Sequence, residues 1–234
     1  MTVSPQDVVF AFDCSRIETV GGVRYLWDYG PNGLHFAFPG GAADPTPQLD
    51  GSLSFDGGDY LALPAGRVAD FYQKMPAGPY TLLFNYTANA AGSYFFSCIE
   101  NLAPNWFGIA IGIEPVLGNT QVYNMIGNAT LPRVVGTLSS SVARRRVAAL
   151  TVETTPRHVI DQSLATAPTW TVGAFGAPSY SAIAPRIGGA AVVGIFNGTL
   201  RYFSIIRNAI SSPDMAQLSA MLANGIKPFC WRQT

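Results

Sequence analysis

Between Tyr80 and Thr87 the chain alternates strictly. Tyr80, Leu82, Phe84 and Tyr86 hold one parity, and Thr81, Leu83, Asn85 and Thr87 the other. Successive side chains of a β-strand point to opposite faces, so one face of this strand is wholly apolar. Leu83 makes the second face partly apolar, as expected for an inner strand of stacked sheets. Such a strand has to be covered from both sides, and that requirement governs how the rest of the chain can fold.

The remaining periodic runs are also short. Residues 8–12, 94–99, 106–113, 121–126, 147–153, 157–161, 169–172 and 199–206 read as strands, and Leu53 and Phe55 alternate with Ser52 and Ser54. Turn signals separate them every 8–12 residues or so, the spacing of a sandwich or barrel. Gly30-Pro31-Asn32-Gly33 is one such turn. Asp56-Gly57-Gly58-Asp59 is another, and it predicts a hairpin joining the strand over residues 52–55 to one over residues 60–63. Val68, Phe71 and Tyr72 sit at helical spacing within a short turn of helix. The one full helix begins after Ser211-Ser212, with Ser212 as N-cap, Pro213 in the first helical position and Asp214 at the positive dipole end. Met215, Leu218, Met221 and Leu222 form its core-facing stripe, and Asn224-Gly225 ends it.

Charged residues are 12% of the chain, about half the usual share of roughly 25%, so either the surface is clad in neutral polar groups or much of it packs against neighbouring subunits. Lys plus Arg equals Asp plus Glu, at 14 each, which argues against electrostatically driven nucleic-acid binding. The one basic run, Arg144-Arg145-Arg146, reads as a solvated turn ahead of a strand starting at Val147. Cys14, Cys98 and Cys230 are widely spaced with no paired motif, which predicts free thiols. No signal peptide and no apolar stretch of membrane-spanning length is visible, so the expectation is a chain made in the cytoplasm without membrane insertion. The sequons at Asn85, Asn128 and Asn197 are then chance matches. No linker or composition shift divides residues 1–234, which predicts one domain with its core over about residues 8–223.

Three stretches in this order resemble the laminin-G-like, concanavalin A-like jelly-roll sandwich: residues 27–35, Trp27-Asp28-Tyr29-Gly30-Pro31-Asn32-Gly33-Leu34-His35; residues 53–61, with Phe55-Asp56-Gly57 followed by Asp59-Tyr60; and Ile187-Gly188-Gly189 through Phe196-Asn197-Gly198 to Ile210-Ser211. Tyr29 replaces the family's usual Ser, and Arg145-Arg146 stand where His is common. The resemblance implies an all-β jelly roll closed by a short helix. It also implies a calcium site at a loop rim, for which Asp56 and Asp59 are the best carboxylates, the alternative being that they shape the turn. Trp27 lies in a motif that is usually buried, which leaves it out of the ligand-binding candidates.

Glycoside hydrolysis needs two carboxylates held at a fixed separation, and Glu100, Glu114 and Glu153 are isolated. There is no Gly-x-Ser-x-Gly elbow and no Gly-rich phosphate loop with a Lys, and His35 and His158 read as structural or surface residues. Sugar binding needs an aromatic platform for C–H faces and amides for hydroxyls; Asn105, Trp106, Tyr123, Asn124, Trp170 and Tyr180 are the candidate suppliers, each also a candidate core residue. The reading is a non-catalytic surface or structural protein. The resemblance, with no visible secretion signal, points to a phage virion component that assembles with copies of itself or other virion proteins and attaches to a glycan. A stand-alone carbohydrate-binding module and a glycoside hydrolase are the alternatives.

Overall fold

A computed structural model describes residues 3–75, 79–89, 94–102, 105–113, 120–125, 133–135, 145–153, 157–160, 163–165, 184–188 and 196–230. The strands are Val8–Val20 (β1), Val23–Asp28 (β2), Phe36–Ala37 (β3), Thr46–Pro47 (β4), Leu53–Asp56 (β5), Leu61–Ala62 (β6), Tyr80–Ala88 (β7), Tyr94–Leu102 (β8), Asn105–Ile113 (β9), Thr120–Met125 (β10), Arg133–Val135 (β11), Arg145–Val152 (β12), His158–Ile160 (β13), Ser163–Ala165 (β14), Arg186–Ile187 (β15) and Asn197–Ile206 (β16). Two helices, Val68–Lys74 (α1) and Ser212–Ala223 (α2), complete the described elements.

The strands form one antiparallel ladder in the order β11-β10-β9-β8-β15-β6-β3-β2-β1-β16-β7-β12-β13-β14, with β5 and then β4 branching from β16. The ladder doubles back at β1. Val8 to Asp13 pair with β16, while Phe12 and then Ile17 to Val20 pair with β2. β1 therefore lies between β16 and β2, and the register shift between Phe12 and Ile17 interrupts its ladder with β2.

Phenylalanine rings fill the space between the layers. Phe10 of β1 lies 5.0 Å from Phe203 of β16 and 5.9 Å from Phe96 of β8, while Phe95 meets Phe84 at 5.1 Å and Phe203 at 5.7 Å. All five rings are fully buried, each contributing roughly 1.5–3 kcal/mol by leaving water. The parity read at Tyr80 holds: Tyr80, Leu82, Phe84 and Tyr86 face this core, while Leu83 faces a second one. That second core lies under α2, where Met215, Leu218 and Leu222 cover Leu83, Val147, Ala149 and Tyr202. Asn85, in the sequon, is 3% exposed inside β7.

Three local expectations are corrected. β5 and β6 do not pair; β5 bonds to β4 and β16, whereas β6 bonds to β3 and β15 in the other layer. The Asp56–Asp59 turn is thus a corner between layers, and turn chemistry alone does not distinguish a corner from a hairpin. Arg145 and Arg146 are not in a solvated turn. They are the first residues of β12, paired with Thr87 and Tyr86, and Arg146 is buried. The N-cap of α2 is Ser211, whose Oγ accepts from Asp214 N at 3.3 Å, so the helix starts one residue earlier than predicted.

Candidate functional site

The turn after β2 is organised by Asp28. Its Oδ1 accepts from the main-chain N–H of Ala11 (2.9 Å) and Gly30 (2.7 Å), and its Oδ2 from Leu34 (2.7 Å). Burial pushes this carboxyl up to about 6 against the pull of those three donors. Gly30 packs so closely that a Cβ there would sit 2.9 Å from Asp28 Oδ1 and 3.1 Å from Phe10 Cα. The loop is therefore tied to β1 at the core, and it presents Gly33 and His35 at a defined place beside β2.

There the alternation of β2 matters. Leu26 and Asp28 are buried, whereas Tyr25 and Trp27 are partly exposed on the other face. The indole of Trp27 stacks on the imidazole of His35, with centroids 3.7 Å apart and planes 19° from parallel. His35 Nδ1 accepts the main-chain N–H of Asp28 at 3.0 Å, so in the neutral ring the proton sits on Nε2. Burial, and secondly the charge of Arg67, lower the pKa of His35 and favour that neutral form. Arg67 is itself held by Asp70 Oδ2 at 2.7 Å and by the carbonyl of Asn32 at 2.8 Å. Tyr25, Trp27, His35, Pro64 and Arg67, with Val20 from the β1–β2 hairpin, line a cavity of about 310 Å3.

This pocket is a mostly apolar, aromatic-walled depression with an imidazole N–H and a guanidinium at its edge. Such a surface can pack the C–H face of a small ring-shaped ligand and donate hydrogen bonds to its hydroxyls. The expected burial of Trp27 is corrected: its motif is anchored at Asp28, next to it, and the indole itself is half-buried. The signal was present in the period-2 pattern, which sets Tyr25 and Trp27 opposite Leu26 and Asp28.

The other sequence-derived candidates are scattered. Asn105 and Trp106 lie in β9, and Tyr123 and Asn124 in β10, with Tyr123 paired to Ala110 and Asn124 to Ile109. Their strand backbone is what the structure describes. Trp170 and Tyr180 lie outside the described residues. Asp56 and Asp59 do come together. Asp59 Oδ2 accepts from Asp56 N at 3.0 Å, and Asp56 Oδ1 from Gly58 N at 2.8 Å, so one oxygen of each carboxylate is engaged in building the corner. Burial raises the pKa of Asp59. Among the described residues no group of three or more His, Cys, Asp or Glu side chains is placed to hold a metal ion. None of their helices is long and apolar enough to cross a membrane.

No family model matches this chain, and no curated protein matches it. Solved structures do. The binding domain of botulinum neurotoxin DC, in complex with rat synaptotagmin II, superposes with a TM-score of 0.64 over 93% of this chain and 52% of that one, at 11% identity. A structure of botulinum neurotoxin type C, whose cell entry is described as dependent on two ganglioside molecules, gives 0.62 over 93% and 52%, at 12% identity. A mutant of Trypanosoma rangeli sialidase displaying trans-sialidase activity gives 0.60 over 95% and 34%, at 15% identity. The fold is a jelly-roll β-sandwich. The chain spans about half the length of the neurotoxin structures it matches.

Proposed function

We propose that this chain is a non-catalytic, lectin-like binding module that holds a glycan in the pocket formed by Tyr25, Trp27, His35 and Arg67. The observation that carries the reading is the half-buried Trp27–His35 stack facing a cavity of about 310 Å3, the volume of one or two sugar rings. The neurotoxin neighbours, described by what they bind, support a binding role on the same fold. Asp56 and Asp59 support a structural part for the carboxylates nearest a loop rim, since each accepts a main-chain N–H within its own corner. Calcium at that rim stays part of the proposal only as a ligand of their remaining oxygens.

A glycan array followed by calorimetric titration tests the reading. The wild-type chain is expected to retain at least one glycan, and Trp27→Ala to lose it while keeping the wild-type unfolding midpoint. An array with no hits, or full retention by Trp27→Ala, would overturn the assignment of the pocket.

A second reading, the surface of a phage virion, is favoured by apolar side chains left outside the two cores. Leu49 is fully exposed, and Val20, Ile226 and Val23 are 55%, 54% and 41% exposed. With so few charges to solvate the surface, these suit contacts with copies of the chain or with other virion proteins. A strictly monomeric mass at high concentration would count against it, and neighbouring portal, capsid or tail genes would count for it.

A further inference from the structure

The outer face of the layer containing β7, β12 and β16 carries another cavity, of about 350 Å3, beside the C-terminal end of α2. Its wall shares no residue with the Trp27 pocket and has the opposite character: Asp50, Asn85, Arg145, Arg201 and Lys227 line it. Arg201 is engaged, with Nη2 on Asp50 Oδ2 at 2.5 Å and Nη1 donating to Thr199 Oγ1 at 3.1 Å. Lys227 pairs with Asp13. Arg145 is different. Its Nε donates to Asn85 Oδ1 at 3.1 Å and its Nη2 approaches the carbonyl of Leu222 at 3.4 Å, and among the described residues no carboxylate pairs with it. Among the described residues three cations thus face two carboxylates, Asp50 and Asp13, and Arg145 is the cation left without one.

Asn85 adds an independent observation. It is 3% exposed, lines the cavity, and uses its Oδ1 on Arg145, while its amide nitrogen donates to no acceptor among the described residues. The amide borders the cavity, where its N–H groups can donate to an acceptor oxygen of a ligand. A solvated surface arginine would extend into water. This one is held by two acceptors over the cavity, beside the Asn85 amide.

We infer that this basin binds a single monoanionic oxygen group, a carboxylate or a sulfate ester carried by a small ligand, between the Arg145 guanidinium, the Asn85 amide and the Lys227 ammonium. Two oxygens of one such group accept from Arg145 and Asn85 together, and its one negative charge pairs with Arg145. Arg145, Arg201 and Lys227 come from β12, β16 and the segment after α2, so the site is assembled only by the tertiary fold.

Calorimetric titration of the full chain with D-glucuronate, with glucose 6-sulfate and with neutral D-glucose tests this. One or both anions are expected to bind with an affinity that falls as NaCl is raised, and glucose to show no salt-dependent binding. Whichever anion binds names the carboxylate or the sulfate as the source. Arg145→Gln, at an exposed position, is expected to weaken anion binding by roughly tenfold or more at an unchanged unfolding midpoint. Trp27→Ala is expected to leave it intact. Neither anion binding, or binding indifferent to Arg145→Gln, would overturn the inference. Loss of anion binding in Trp27→Ala would overturn it too, by moving the anion to the aromatic pocket, and each of these results is separable from failure of the glycan reading.

Discussion

Gly188→Ala tests whether the two layers meet as described. Gly188 follows β15, with φ +97°, and bridges neighbouring segments: its N–H donates to Phe95 O at 2.8 Å, and its carbonyl accepts from Phe196 N at 2.7 Å. A Cβ at this position would lie 2.3 and 2.4 Å from Cδ1 and Cε1 of Phe55, and 2.9 Å from the carbonyl of Asp59. Phe55 is 1% exposed and packs against Phe196 at 5.4 Å, so its ring has little room to yield. A non-glycine residue in this left-handed region costs about 1–2 kcal/mol, and forcing a methyl into a packed core about 1–3 kcal/mol more. The expected loss is therefore about 2–5 kcal/mol, read as a lower urea midpoint with an unchanged slope. The structure also names the partner. In a Phe55→Leu background the clash is reduced, so the double variant should lie above the sum of the two single losses by about 1–2 kcal/mol. Additive losses, or a Gly188→Ala midpoint within about 0.5 kcal/mol of wild type, would refute the packing of the Asp56–Asp59 corner against Gly188.

Two further outcomes follow from the same geometry. The lowered pKa of His35 means that the unfolded chain binds its proton more tightly than the native one, so the contribution of His35 is complete above its unfolded value of about 6.5 and is lost as pH falls from there through the depressed native value. Urea midpoints of wild type and His35→Phe should therefore converge as pH is lowered from 7.5 to 5.5, and a constant gap would contradict the Asp28 N–H to His35 Nδ1 bond. Ser211→Ala removes both the cap to Asp214 N and the Oγ–H donated to Asp214 Oδ2 at 2.9 Å, and should cost about 1 kcal/mol, or about 3 °C in Tm, while Ser212→Ala should cost much less.

Sequence alone determined the class of fold, the face parity of its main strands and the buried stripe of its last helix, because these depend on neighbours along the chain. The parity of Tyr80 to Thr87 assigns Phe84 to one core and Leu83 to another, and the Met215, Leu218 and Leu222 stripe faces inward as its spacing requires. The free state predicted for Cys14, Cys98 and Cys230 also agrees with the structure. What the tertiary structure decided is which strand lies beside which, and hence where the pockets are. The Asp-Gly-Gly-Asp turn has the same chemistry whether β6 folds back on β5 or crosses to the other layer, and only pairing with β3 and β15 settles that. Arg145 and Arg146 looked solvated because a charge run carries no record of the strand, Tyr80–Ala88, that it will pair with. Trp27 and His35 are eight positions apart in the chain and stack only once Asp28 ties the turn to Ala11, and Asn85, Arg145 and Lys227 share a cavity although they are far apart in the chain. Backbone preference acts over a few residues, whereas a binding site is made by contacts between segments, and those exist only once the layers have closed.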